Sequence, residues 1–454
     1  MRSYRFEAAL LPQGWTRGAC ITVADDGMIV AAEGPRDAPG AEKIDGFAVP
    51  GMPNAHSHAF QRAMIGDSEF RQSATDSFWT WRNAMYALAN RVTPADLQII
   101  ATRLFIEMLK SGYTSVAEFH YLHRSADGSG YGADNPLHVA IIEAARVTGI
   151  GLTLLPTLYQ HSDFGGKPLR EDQRRFRLSL DEFIAAITRR SGAAGKSSLI
   201  RCGAAFHSLR AVGIPVIREA AAALRAIDPT MPVHIHVAEQ LREVNACRRA
   251  TGRRPVELLL QEGLLSQHWC LVHATHANLS ELRGVAAAKA LIGVCATTEG
   301  NLGDGFFNAE AFLQQSGEIC VGSDSQASVC PAEELRWIEY QHRLRRKRRA
   351  VLASSEQPHV GTRLWCDAAR GGARALGHPV GEIRVGARAD WLVIDPHDPS
   401  MAGVRPERVL DRLVFTSARS AIRDVVVGGR VVVQNRRHAL EDASAIEFEE
   451  WMRA

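Results

Sequence analysis

Apolar residues in this chain fall into short runs, and several of the runs end in a residue that binds metals. Phe47-Ala48-Val49 leads through Pro50-Gly51-Met52-Pro53-Asn54-Ala55 to His56-Ser57-His58. Met231-Pro232-Val233-His234-Ile235-His236 is followed by Val237-Ala238-Glu239. His268-Trp269-Cys270-Leu271-Val272-His273 and Glu318-Ile319-Cys320-Val321-Gly322-Ser323-Asp324 end in the same way. Short apolar runs bounded by turn signals read as buried strands. Functional groups at the C-terminal ends of parallel strands are the pattern of a (β/α)8 barrel.

The rest of the chain supports that reading. Candidate barrel strands begin near Phe47, Thr114, Gly151, Leu199, Val233, Cys270, Ile292 and Ile319. Amphipathic helix patterns alternate with them, such as Pro94 to Lys110 closed by Gly112, and Pro136 to Val147 closed by Gly149. Eight strands separated by helices predict an α/β fold of TIM-barrel type over residues 49–378. The ends differ. Residues 1–48 carry turn signals at Asp26-Gly27 and Gly34-Pro35, and residues 379–454 hold strand runs at Asp390 to Asp395 and Val425 to Val433. The second run is a hairpin across Gly428-Gly429. Neither end makes a stable sheet alone, so both are expected to share one small β-sandwich domain.

Composition narrows the class without naming a chemistry. The chain has 454 residues, 46% hydrophobic and 23% charged, which suits one large barrel and a smaller domain. No apolar run approaches the ~18 residues that span a bilayer, and Met1 to Glu7 has no signal-peptide core. Eight scattered cysteines with no Cys-x-x-Cys pair fit a reducing compartment. A cytoplasmic enzyme with no membrane partner is expected. The basic run His342 to Arg349 lacks the aromatic groups or motif of a nucleic-acid site. It reads as the solvated end of a helix beginning near Pro331, so no nucleic-acid partner is expected. No Gly-x-Gly-x-x-Gly follows the first strand and no Walker sequence is present, which leaves nucleotide-phosphate binding without support.

The candidate chemistry lies at the strand ends. In extended backbone, residues two apart face the same side, so His56 and His58 aim at one point. With His236 and Asp324 they make three imidazoles and a carboxylate, a donor set that suits zinc or ferrous iron with a position left open. Such an ion makes hydroxide available at neutral pH. Glu239, one helical step beyond His236, is placed to shuttle a proton to a leaving nitrogen, and His273 to polarise the attacked group. His234 shares the face of His236 but lies one layer deeper, and is excluded. His268 and His276 read as structural.

Asn54-Ala55-His56-Ser57-His58, His236-Val237-Ala238-Glu239, His273 and Ser323-Asp324 resemble the amidohydrolase superfamily over nearly the whole chain. The His-x-x-Glu looks like its deaminase branch. Binuclear members carry a lysine at the end of strand four, whereas Cys202 to Arg210 contains none. The resemblance therefore implies one ion per chain, Zn2+ with Fe2+ as the alternative, in a homodimer. His56 to Met64, Phe78-Trp79-Thr80-Trp81-Arg82, Glu118 to His123 and His207-Ser208-Leu209-Arg210 are similar to the deiminases that hydrolyse N-formimino-L-glutamate in histidine degradation. By that resemblance Gln61, Arg82, Tyr121, His207 and Arg210 bind substrate, while Glu239, His273 and Asp324 are catalytic. A small dicarboxylate, a linear amidine, suits the planar forks of Arg82 and Arg210. Two alternatives stay open: an aminohydrolase for a nucleobase or related cyclic amidine, and an inactive barrel kept as a scaffold.

Overall fold

The computed structural model describes residues 1–35, 40–67, 69–70, 76–132, 134–194, 199–416 and 418–453. Its centre is a parallel barrel of eight strands in chain order: β1 (Met52–Ser57), β2 (Tyr113–His120), β3 (Gly151–Leu158), β4 (Ala204–Phe206), β5 (Val233–Val237), β6 (Trp269–His273), β7 (Leu291–Val294) and β8 (Glu318–Val321). A short piece, Ile200–Cys202, pairs with β3 just ahead of β4. The eight strands are mostly apolar and, apart from Glu318, buried, as strands covered on both faces must be.

The barrel closes where β8 meets β1, and the closure consists of a few bonds. Asp324 N donates to His56 O at 3.0 Å, and His58 N donates to Asp324 O at 3.2 Å. The seam is thus made by three of the residues singled out as metal ligands. The helix Val360–Leu376 packs behind it at a distance only glycine allows. A Cβ on Gly371 would lie 2.0 Å from Ile319 O, and one on Gly372 would lie 3.0 Å from Pro53. The end of that helix is tied to the barrel interior through Thr153 Oγ1 to Leu376 O (2.7 Å) and His234 Nε2 to Ala375 O (2.8 Å).

The outer helices start and stop where the sequence predicts. Pro94–Ser111 opens on a Thr93–Asp96 capping box and ends at left-handed Gly112. Pro136–Thr148 is capped by the Asn135 side chain and ends at left-handed Gly149. Pro331–Arg346 ends in the basic run, where Arg343 pairs with Glu339 at 2.6 Å and Arg346 with Glu310 at 2.6 Å. Among the described residues no helix is long and apolar enough to cross a membrane.

Both termini build one mixed nine-stranded sheet, the sandwich-like second part of the molecule. Strand Glu42–Pro50 joins the two ends, running parallel to Arg2–Leu11 and antiparallel to Trp391–Ile394. Trp391 packs edge-on against Tyr4 and Phe6, with ring centroids 5.5 and 5.9 Å away. Phe47-Ala48-Val49, expected to start the first barrel strand, belongs to this sheet instead. Phe47 pairs with Ala8 and Ile394, and the chain changes sheets at Pro50-Gly51. A β-branched apolar run looks alike in either sheet, and the Pro-Gly step marks the change.

Candidate active site

At the C-terminal ends of β1, β5 and β8, His56, His58, His236 and Asp324 converge with donor atoms all within 4.8 Å of one another. His56 Nε2 and His58 Nε2 lie 3.4 and 3.3 Å from Asp324 Oδ1, and His236 Nε2 lies 3.0 Å from His56 Nε2. Two imidazole nitrogens this close repel unless a proton or a cation sits between them. The tautomers of His58 and His236 suit a cation. His58 Nδ1 donates to Phe119 O and His236 Nδ1 to His207 O, each at 2.9 Å. Both rings therefore turn an unprotonated Nε2 toward the centre, the arrangement expected of metal ligands. Burial pulls His56 down to about 3 and also lowers His58 and His236, so the rings stay neutral as ligation requires. Asp324 is held below the usual carboxylate range: burial would raise it, but the His56 hydrogen bond and the charged His273 beside it prevail. The residues present fit a divalent ion.

Beside the cluster stands an acid–base group. His273 Nε2 is 3.7 Å from Glu239 Oε1 and 3.8 Å from Asp324 Oδ2. Burial raises Glu239 to about 7. Burial would lower His273, yet Glu239, Glu299 and Asp324 together carry it up to about 10. Glu239 is not on a helix, as its spacing from His236 predicted. It hangs on a turn through left-handed Ala238 (φ 51°), held by Glu243, which accepts from Ala238 N at 3.3 Å and Glu239 N at 3.0 Å. His273 (φ 70°) and Asp324 (φ 46°) are left-handed too. Strain of this kind clusters at functional sites because the surroundings enforce it.

Several supporting residues were missed by the sequence reading. Glu299, wholly buried after β7, faces His273 Nδ1 at 3.4 Å and accepts from Cys295 N at 3.1 Å. It follows a strand end, the one signal that singles it out. Glu118 accepts from Ser57 Oγ and Ala59 N, both at 2.7 Å, and burial pushes its carboxyl up to about 8. Asn54 bridges the seam, donating to Ser323 Oγ at 2.7 Å and accepting from Ser323 N at 3.1 Å. Gln326 Nε2 adds a bond to Ser57 Oγ at 3.0 Å.

A cavity opens above the cluster, and the substrate-binding candidates Gln61, Arg82, Tyr121, His207 and Arg210 all line it, with Glu239, His273 and Asp324 at its floor. Gln61 Nε2 donates to Tyr121 Oη at 2.8 Å. The Nε atoms of Arg82 and Arg210 are buried with no hydrogen-bond partner among the described residues. Arg82 stacks on Trp79 with its guanidinium 4.4 Å from the ring centre. Arg242, not foreseen from sequence, lies 4.2 Å from the same ring. Aromatic walls and two guanidinium groups with unbonded Nε atoms make a pocket suited to a small anionic molecule. His234 sits deeper, bonded to Ala375 O. His268 and His276 are not part of the cavity lining.

Known proteins share this architecture. Formimidoylglutamate deiminase of Pseudomonas aeruginosa is 46% identical over 445 residues, 97% of either chain. The crystal structure of an amidohydrolase from Brucella melitensis superposes with a TM-score of 0.93 at 38% identity, covering 100% of this chain and 99% of that one. An adenosine deaminase from Xanthomonas campestris with bound zinc shares the fold at 20% identity, TM-score 0.79, over 99% and 98% of the two chains. The profile of the amidohydrolase family matches residues 47–432. With its barrel, its strand-end ligands and a relative this similar over nearly its full length, the chain belongs to the amidohydrolase family.

Proposed function

We propose that this enzyme hydrolyses N-formimino-L-glutamate to N-formyl-L-glutamate and ammonia, a step of histidine breakdown. The observation that carries the reading is the near-full-length similarity to a formimidoylglutamate deiminase. The cavity is consistent with it. Two arginines without hydrogen-bonded Nε atoms, Arg82 and Arg210, stand ready for two carboxylates. A nucleobase is flat and neutral and would leave both Nε atoms without an anionic partner.

His56, His58, His236 and Asp324 would hold one ion; the donor types suit zinc or ferrous iron, and the family resemblance favours zinc. When bound, that ion lowers the pKa of a water toward ~7 and polarises the attacked carbon. Glu239, poised near neutrality, takes the water's proton as oxygen adds to the formimino carbon. The formimino group enters as its amidinium, already bearing two hydrogens on the terminal nitrogen, and Glu239 then delivers that proton to the same nitrogen as the third. The C–N bond breaks, ammonia leaves, and Asp324 takes the hydroxyl proton as the carbonyl forms. Protonated His273, steadied by Glu299, stabilises negative charge developing at the attacked group. Arg82, Arg210, Gln61, Tyr121 and His207 position the substrate. Residues 49–378 supply this machinery and the terminal segments brace it, in a cytoplasmic homodimer.

The test is ammonia release from N-formimino-L-glutamate set against guanine, cytosine and adenosine, with metal analysis of the same sample. Turnover of the formimino compound alone is expected. Preference for any ring substrate overturns the assignment.

A further inference from the structure

A second set of donors adjoins the first. His273, Cys295 and Asp324 are all buried and offer atoms within 4.8 Å of one another. Asp324 belongs to both sets, and its two oxygens divide between them. Oδ1 faces His56 and His58 at 3.4 and 3.3 Å, whereas Oδ2 faces His273 Nε2 at 3.8 Å. Glu239 Oε1 stands 3.7 Å from the same Nε2. Tetrahedral bonds of 2.0–2.3 Å place donors roughly 3.3–3.7 Å apart, so these spacings need little adjustment. His273 turns its Nδ1 to Glu299, so Nε2 is the atom that ligates once a cation displaces its proton. Cys295, directly after β7, is fixed by Cys295 N to Glu299 Oε1 at 3.1 Å and Glu299 N to Cys295 O at 2.9 Å. The proposed reaction makes no use of its thiol.

We infer that His273, Cys295 and Asp324 form a second, inhibitory site for a thiophilic divalent cation, bridged by Asp324 to the first site and completed by Glu239. An imidazole, a thiolate and carboxylates select zinc, cadmium or cobalt over magnesium or calcium. A carboxylate bridging through its two oxygens sets two ions about 3.5–4 Å apart, as in two-metal sites. Binding here exchanges two protons, one from the Cys295 thiol and one from His273 Nε2, for the cation. It also occupies His273 Nε2 and a Glu239 oxygen, the two atoms that handle charge and protons in the reaction. Metal beyond one equivalent therefore stops turnover. The inhibition rests on the deiminase reading, but the binding does not.

Holoenzyme carrying one ion is titrated with Co2+ and followed in the near ultraviolet. One further equivalent should bind with a thiolate-to-cobalt charge-transfer band. Cys295→Ser should lack that band while keeping the first ion, and Cys295→Ala provides the same readout should the serine variant fold poorly. In parallel, excess Zn2+ should lower ammonia release roughly tenfold or more in the parent enzyme and within about twofold in the variants. No band in the parent, or a band or inhibition undiminished in both variants, overturns the second site. Absence of any deiminase activity would sink the proposed function instead, and the cobalt titration would still decide the binding.

Discussion

Glu299 offers the sharpest test of how the acid–base group is arranged. Replacing it with glutamine removes a charge while keeping the carbonyl oxygen that accepts from Cys295 N. The fold after β7 should therefore survive. What is lost is the charged partner of His273 Nδ1, at 3.4 Å in a site without solvent. Hydrogen bonds to charged groups contribute about 1.5–3 kcal/mol. At 1.36 kcal/mol per decade this is a fall in kcat of roughly 10- to 150-fold, with the long contact favouring the lower part of the range. Glu299 is among the carboxylates that raise His273. Without it the imidazolium gives up its proton at lower pH, and the alkaline limb of kcat moves down. Metal content should stay at the parent value, because Glu299 is not a donor of the ligand cluster. The assay is ammonia release across pH with metal analysis of each preparation. A variant with parental kcat and an unmoved alkaline limb refutes the positioning role. So does one that loses activity only in step with its metal.

Three further outcomes follow from the same geometry. Glu239→Gln should abolish turnover yet retain the parental metal content, since Glu239 lies outside the ligand cluster; substantial remaining activity would remove it from the mechanism. Arg82→Met and Arg210→Met should each raise KM by about tenfold or more with a smaller change in kcat, and lysine should restore only part, lacking the planar fork; an unchanged KM would disconnect these residues from substrate. Buried neutral His234 is held at about 4 against an ordinary 6.5. Below pH 6.5 the unfolded chain takes up a proton that the folded one refuses, so stability is full above 6.5 and falls toward pH 4. The shift corresponds to about 3 kcal/mol. Urea unfolding of His234→Gln should show a flatter pH dependence by about that amount, and an unchanged slope would mean the proton is taken up elsewhere.

The ligands were legible because each ends an apolar run, and a period of two fixes which side chains share a face. The eight strands were legible for the same reason, all but the misplaced Phe47 run. The supporting groups were not, because each acts across a distance in sequence that no local pattern spans. Asn54 meets Ser323 across 269 positions, and Ser57 meets Glu118 across 61. Glu299 reads as the first turn of a helix, and only the packing of β6 beside β7 turns it toward His273. Glu239 was found by its spacing, but the left-handed Ala238 that aims it answers to Glu243, five residues on.

The β8–β1 seam depends on Asp324 N to His56 O and His58 N to Asp324 O, with Asn54 and Gln326 reinforcing it. The side chains of those same three residues would supply most of the ligands in the proposed metal site. An ion drawing them together therefore also fastens the one junction that makes the sheet a barrel. Its binding free energy adds to folding stability as RT ln(1 + [L]/Kd). Gly322 is where this coupling is exposed. A Cβ there would stand 2.6 Å from His56 Cβ and 2.9 Å from its backbone N and O. Gly322→Ala must push β8 away from β1, spreading Asp324 from both histidines. Metal affinity and thermal stability should fall together, and excess metal should recover part of both. Full metal content after dialysis, with only the melting temperature lowered, would show that the seam and the ion site are independent.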